Sequence, residues 1–520
     1  MSGPGTNGTP TGDPTLNPRQ AEAPGATTGE GSSPLVESRL ARRRRTLRPV
    51  RGRTAAIVTA VAVVVGVGVV SSAVSVPPPA PPAPSQDGVQ VAPVSARTSS
   101  LFCASGAGLA AGAGATGMVV LTNTSRATAR GVMTTVAGSG APMVRRGVAV
   151  PPLGTADVNP ALGLPAGATA STFTFEGGAV SGTMVVSGPA GWSTAPCASS
   201  VSSQWDFVGG STTTGLLDLS LYNPTAAQSV VDVSFLTPDG SVLVPQAYQG
   251  ITLAPGQLAV AGLGSYVQNV PVVATLVQTS SGAIVATELD QMSVPSGSGL
   301  ALVAGTPGPA TTWRFAQTTA VRGGTVTLSL ANPSPSAVTA VIAVGLSAAT
   351  VTPKQVTVPG HTVVAFVASA AAGWPLGSPY SVTVKASAPV IVGRSVSAPP
   401  ASAAPQAGLT GGTTTTATSW LVVGPGIPGN PIVPGTSMQT LAVANPGSSS
   451  VKVTVTQLAG GRPVGMAIVA ANGLVVFGAA ALVGLHPLVV TASEPVSVEV
   501  DDGPTGAPGV VAASGFPLRT

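Results

Sequence analysis

The sequence predicts an all-β protein whose bulk is a tandem array of strand-rich repeats. Three observations carry that expectation. Val and Thr abound while Gly (66) and Pro (50) interrupt the chain without a collagen-like period. A short alternating strand ending in an Asn turn recurs four times. A Trp stands upstream of that turn in three of the copies. β-Branched residues fit a pleated surface, and frequent Gly and Pro oppose long helices.

Only 8% of the 520 residues are charged and 3% are aromatic, against about 25% charged in ordinary soluble domains. The net charge of +5 is not spread evenly. Residues 1–53 hold nine Arg and four acidic residues, whereas 54–520 hold thirteen of each sign. The excess therefore sits in the tail, and the remainder lacks the basic field of a nucleic-acid binder.

Residues 1–38 contain few large apolar side chains, cannot offset the entropy of ordering, and are expected to be disordered. Thr54–Val76 then runs 23 residues without a charge. As a helix it would measure about 35 Å, enough for a hydrocarbon core of about 30 Å. Arg39, Arg42, Arg43, Arg44, Arg45, Arg48, Arg51 and Arg53 precede it, and no basic residue follows until Arg97. Such an asymmetry holds the N-terminus in the cytoplasm, with the arginines against anionic lipid heads. Ser71-Ser72-Ala73 would also suit a signal peptidase, but 53 residues is long for a signal-peptide n-region, which favours a retained anchor. Residues 77–98 read as a stiff, Pro-rich stalk.

Cys103 and Cys197, the only cysteines, both lie beyond this segment. In an oxidising compartment they are expected to form a disulfide. Closing a loop of about 95 residues would stabilise its domain by roughly 4–5 kcal/mol in the chain-entropy picture. Neither a nearby His for zinc nor a C-x-x-C redox motif accompanies them.

The repeats set the organisation. Their turns are Val119-Val-Leu-Thr-Asn123, Leu219-Ser-Leu-Tyr-Asn223-Pro, Leu328-Ser-Leu-Ala-Asn332-Pro and Leu441-Ala-Val-Ala-Asn445-Pro, spaced 100, 109 and 113 residues apart. Asn favours the turn and Pro cannot continue the ladder. Trp205, Trp313 and Trp420 occur in phase, with Cys103 taken as the counterpart in the first copy; the Trp residues are expected to be core anchors. Units of about 100 residues with turns every 8–12 residues suggest immunoglobulin-like β-sandwiches. The expected domains are 99–200, 202–305, 311–397 and 418–520, with a linker at 398–417.

A search for chemistry finds little. His361 and His486 are isolated, and no metalloprotease, P-loop, nucleophile-elbow or dinucleotide-binding motif is present. Glu288 with Asp290, and Glu499 with Asp501 and Asp502, are the close acidic groupings; the first pair would share one strand face and is expected at the surface. No enzyme, cofactor or metal is expected.

The runs Trp313-Arg-Phe-Ala316, Leu328-Ser-Leu-Ala-Asn332-Pro333 and Pro389-Val-Ile-Val-Gly-Arg394 resemble a unit found in an actinobacterial family of single-pass membrane or secreted proteins of unknown function. The resemblance covers roughly residues 50–520, including the Cys-containing start Leu101-Phe-Cys103. Genes of that family often neighbour a cell-envelope glycosyltransferase, so the resemblance implies a role in envelope glycan assembly. The expectation is a non-enzymatic envelope protein, cytoplasmic at its N-terminus and extracellular at its C-terminus. Its expected partners are lipid, an envelope protein or a glycan, and not nucleic acid. A carbohydrate-binding or adhesion module is the alternative, and it would need exposed aromatics.

Overall fold

The computed structural model describes residues 96–104 and 116–518, apart from 139, 141–142, 214, 295–296, 321–322, 348–350, 370–372, 399–405, 424–436, 479–481, 483–486 and 505–510. All of them lie in one compact unit, Pro79–Thr520. The basic tail and hydrophobic segment expected at 1–76 fall outside the described residues. No helix among the described residues is long and apolar enough to cross a membrane.

The described chain is all-β, and its four repeats share one strand plan of eight strands in two sheets. In each repeat the first strand pairs with the sixth, the sixth with the third, and the third with the fourth. The second sheet runs fifth–second–seventh–eighth. Repeat 1 shows the plan most simply: Thr98–Ala104, Thr169–Glu176, Ala129–Ala137 and Val144–Val150 form one sheet. Thr155–Val158, Thr116–Asn123, Val180–Gly188 and Gly191–Pro196 form the other. Alternation decides which side chains enter the core. In Val451–Gln457, Val451, Val453 and Val455 are buried while Lys452 is exposed. The two sheets share a core in every repeat: in repeat 3, Trp313, Ile342 and Val384 of the first sheet meet Leu328, Leu330 and Val392 of the second.

The sixth and seventh strands connect the two sheets. In repeats 3 and 4 they are single bent strands, Pro379–Ala398 and Leu488–Pro504. Each contains a proline near the crossing, Pro389 and Pro495, where no ladder N–H can be given. In repeats 1 and 2 the crossing breaks at a turn instead, using Gly177 (φ 99°) and Gly282 (φ 76°).

The repeats are not beads on a string. Their eighth strands, Gly191–Pro196, Gly297–Ala304, Gln406–Gly411 and Val511–Ser514, touch in sequence, and the last returns to the first. The ring closes through the same surfaces at all four junctions. The residues three beyond Leu101, Trp205, Trp313 and Trp420 abut the second sheet of the next repeat. Ala104 Oxygen accepts from Thr287 Oγ1 at 2.6 Å; Val208 packs with Ala331 and Ile391; Ala316 packs with Ala442 and Ala444; Val423 packs with Val120 and Val185 of repeat 1. A second set of contacts follows the same cycle, with Gly138 near Leu258, Gly240 near Thr362, Gly345 near Asn472, and Leu458 sharing a cluster with Leu153. The stretch 398–417 is therefore not simply a linker. It supplies the eighth strand of repeat 3, because Gln406–Gly411 pairs antiparallel with Gly393–Ala398 and bridges to Ser298 of repeat 2.

Candidate functional site at the ring axis

The four eighth strands converge on a cavity of about 180 Å³. Its walls are the turns that follow these strands, such as Thr306-Pro-Gly-Pro309 and Gly411-Gly-Thr-Thr414, and its lining carries no charged side chain. Each turn is tied to the first strand of its own repeat by a reciprocal backbone pair. These are Phe102 with Ala198, Asp206 with Thr306, and Arg314 with Thr413, at 2.8–3.0 Å. Leu421 pairs with Phe516 at the same place in repeat 4.

That register aligns the repeats residue by residue. Trp205, Trp313 and Trp420 precede their paired residue by one, and so does Leu101. Leu101, not Cys103, therefore occupies the Trp position of repeat 1. Cys103 stands two further on, level with Phe207, Phe315 and Val422. On the opposing turn, Cys197 is level with Gly305, Gly412 and Gly515. A Cβ on Gly305 would lie 2.7 Å from the Phe207 ring and 3.1 Å from Trp205, and one on Gly412 would lie 3.0 Å from Phe315 and 3.1 Å from Trp313. Three repeats thus seal the turn by pressing a bare backbone onto an aromatic. Repeat 1 seals it with the Cys103–Cys197 disulfide (Cα–Cα 4.6 Å).

The three Trp residues are buried, at 0–1% exposure. Trp205 Nε1 donates to Ile284 O, Trp313 Nε1 to Val390 O and Trp420 Nε1 to Val496 O, at 2.8–3.1 Å, tying the first strand to the crossing segment. The Asn turns are equally uniform. Asn123, Asn223, Asn332 and Asn445 are all buried. In each, Nδ2 donates to the carbonyl four residues on (2.7–2.8 Å) and to two consecutive carbonyls at the end of the fourth strand. Oδ1 accepts the backbone N–H two residues on, at 2.9–3.0 Å. Ser125, Thr225 and Ser334 add a hydroxyl to the same oxygen, and Gly447 cannot. His361 (φ 57°) sits in the facing turn of repeat 3, level with Leu153, Gly256 and Asn472, all left-handed. His486 and the eight arginines lie outside the described residues.

The acidic groups depart from expectation. Glu288 and Asp290 are buried, not surface charges, because the even-numbered residues of Val285–Val294 point into the core of repeat 2 beside Ala286 and Met292. Desolvation raises Glu288 to about 7, even though Thr275 Oγ1 donates to it at 2.9 Å. Desolvation, then the charge of Glu288, holds Asp290 well above the usual carboxylate range. Asp206, behind the axial turn, is raised to about 8 by burial, against one hydrogen bond from Gln204. Arg394 and Glu499 were not recognisable as a pair. They meet at 2.5 Å across the junction of repeats 3 and 4, both nearly fully buried. Arg394 also donates to Gln317 O and Thr318 Oγ1 and lies 5.1 Å over the Phe315 ring, while Gln317 N donates to Glu499 Oε2 at 3.0 Å. Chemically, the axial site offers hydroxyls, carbonyls, proline faces and parts of the Trp313 and Trp420 side chains, suited to holding a neutral group.

No family model and no curated protein matches the sequence. Among solved structures, the crystal structure of a tetra-tandem repeat in the extending region of a large adhesion protein matches at 13% identity. It covers 75% of this chain and 92% of that one, with a TM-score of 0.09. A superposition that poor carries no argument about this ring.

Proposed function

We propose that the chain is a non-catalytic, membrane-anchored protein of the bacterial cell envelope. In this reading Thr54–Val76 spans the membrane, the arginines from Arg39 to Arg53 lie against cytoplasmic lipid heads, and the ring stands outside as a rigid scaffold. The role in envelope glycan assembly follows from the family resemblance. The repeats do not keep the immunoglobulin-like strand order expected from the sequence: the first strand pairs with the sixth and the seventh with the second, so the two edge places are exchanged, and four such units close into a ring.

The supporting observation is the buried Cys103–Cys197 disulfide, which uses both cysteines at the place where the other repeats use glycine and an aromatic. Such a bond persists in an oxidising compartment, beyond the cytoplasm. The carbohydrate-binding alternative needs aromatic platforms. Trp205, Trp313, Trp374 and Trp420 are 0–3% exposed, and Tyr266 is the one aromatic exposed beyond a third among the described residues.

The test is thiol labelling of the full chain in intact cells with a membrane-impermeant maleimide. Labelling of Cys103 and Cys197 is expected only after an external reductant and denaturation. Two reduced cysteines that label only after the cells are lysed would place the ring in the cytoplasm and overturn the proposal.

A further inference from the structure

The fourth strand ends the first sheet of every repeat, and three of the four are built in ways that discourage a further strand from pairing. In repeat 1, Val144–Val150 carries Arg145 and Arg146. In repeat 2 the edge is split into Val242–Leu243 and Ile251–Leu253 around Pro245 and a short 3-10 turn. In repeat 3, Lys354–Val358 is short, begins with a charge and turns Gln355 and Thr357 outward. Charge, interruption and proline are the usual ways a sheet edge is protected.

Repeat 4 has the least of this protection, since its one proline and its one bulge both lie at the Pro463 end of the strand. Pro463–Val469 runs seven residues without a charge, and only its opening residue is proline. Among the described residues it pairs on one side only, with Val451–Gln457. Its outward residues Met466 and Ile468 are 68% and 78% exposed, the two most exposed large hydrophobics among the described residues. Counted back from the buried valine that ends each strand, they are level with Gly147 and Ala149 in repeat 1 and with Gln355 and Thr357 in repeat 3. The other three repeats place only small or polar residues at this level.

We propose that this edge is an interface between two copies of the chain, formed by antiparallel pairing of the two Pro463–Val469 strands about a two-fold axis. A partner strand must itself be an uncharged, unsplit edge of matching length. Among the four equivalent edges only this one qualifies, so its own copy is the partner that sets no charge against an apolar strand. Pairing centred on Met466, the middle residue, uses the whole strand in both copies and is self-complementary, as a two-fold contact requires. Met466 then faces its own mate, and the two Ile468 side chains flank that pair on the same face.

The experiment uses the full chain. In detergent, wild type is expected to sediment at twice the mass of the Met466→Lys/Ile468→Lys variant. Both positions are exposed, so the variant should keep the tryptophan emission of wild type, a check on folding through five buried indoles. Because the two native cysteines are bonded to each other, Met466→Cys adds a single free thiol. In membranes it is expected to give a reducible dimer, lost when Ile468→Lys is added and absent for Thr357→Cys on the repeat 3 edge. A monomeric wild type, a Lys variant of unchanged mass, crosslinking no greater than that of Thr357→Cys, or a disulfide to a different protein would each overturn the proposal.

Discussion

Replacing Asp206 by Asn is expected to stabilise the ring, and by an amount that depends on pH in a defined direction. Asp206 is 1% exposed behind the axial turn, and burial raises its carboxyl from 3.8 to about 8. A carboxyl whose folded value lies above its unfolded value favours folding fully below the unfolded value and loses that contribution as pH rises through the folded one. Each pH unit between 3.8 and about 8 therefore costs up to ~1.4 kcal/mol, which accumulates to about 4 kcal/mol at pH 7 as an upper bound. Asn keeps the oxygen that accepts from Gln204 Nε2 at 2.9 Å and never ionises. Urea unfolding of wild type and Asp206→Asn should coincide at pH 4 and separate steadily toward pH 8, with the variant more stable. Equal pH dependence of the two proteins would refute the reasoning, since it would mean that water reaches Asp206 and its carboxyl titrates normally.

The remaining predictions concern the turn and the junction. Asn332→Ala removes donors to three carbonyls and an acceptor for two groups in a buried turn. It should cost about 3 kcal/mol or more, given 1–3 kcal/mol for each buried group left unsatisfied, visible as a lowered urea midpoint. Arg394→Met leaves Glu499 buried without its cation and should cost about 3–5 kcal/mol. Arg394→Met with Glu499→Thr, which copies the level residues Met184 and Thr183 of repeat 1, should cost clearly less than the two single variants together. A double-mutant cycle by chemical denaturation reads this coupling, and additive losses would count against it.

Much of this fold can be read from the chain because its signals are local. An Asn closing an apolar alternation bonds within four residues of itself and to one neighbouring turn, so its role repeats wherever a Leu/Val-x-Leu/Val-x-Asn run recurs. The disulfide follows from a count of two. The ring does not follow, because its evidence lies in residues with no signal of their own. Ala104, Val208, Ala316 and Val423 become junction residues only once the first strands are superimposed. Cys103 and Trp205 share only their rarity in sequence, while the register of Leu101 with Phe173 and of Trp205 with Val277 shows which positions are level. A carboxylate is ordinarily a surface residue, so the sequence alone puts Glu288 and Asp290 outside. Their strand is covered on both faces, by the core of repeat 2 on one side and by Leu289 against repeat 1 on the other.

Ring closure also explains why repeats with one plan carry such different charge. Between residues 202 and 305 there is no Lys or Arg, but there are Asp206, Asp218, Asp232, Asp239, Glu288 and Asp290. Between 311 and 397 there is no acid, but there are Arg314, Arg322, Lys354, Lys385 and Arg394. In an open array of independent domains such sorting would have no structural consequence. In a ring every repeat has two fixed neighbours, and shared surfaces alone would let any repeat dock on any other. Among the acids of repeat 2, Asp206, Glu288 and Asp290 are buried with raised carboxyls, so the sorting of charge at the surface is weaker than the residue counts. The Arg394–Glu499 pair is the point where this sorting reaches a desolvated contact. It occupies a level at which repeat 1 has Met184 and Thr183, so it is not needed to form a junction.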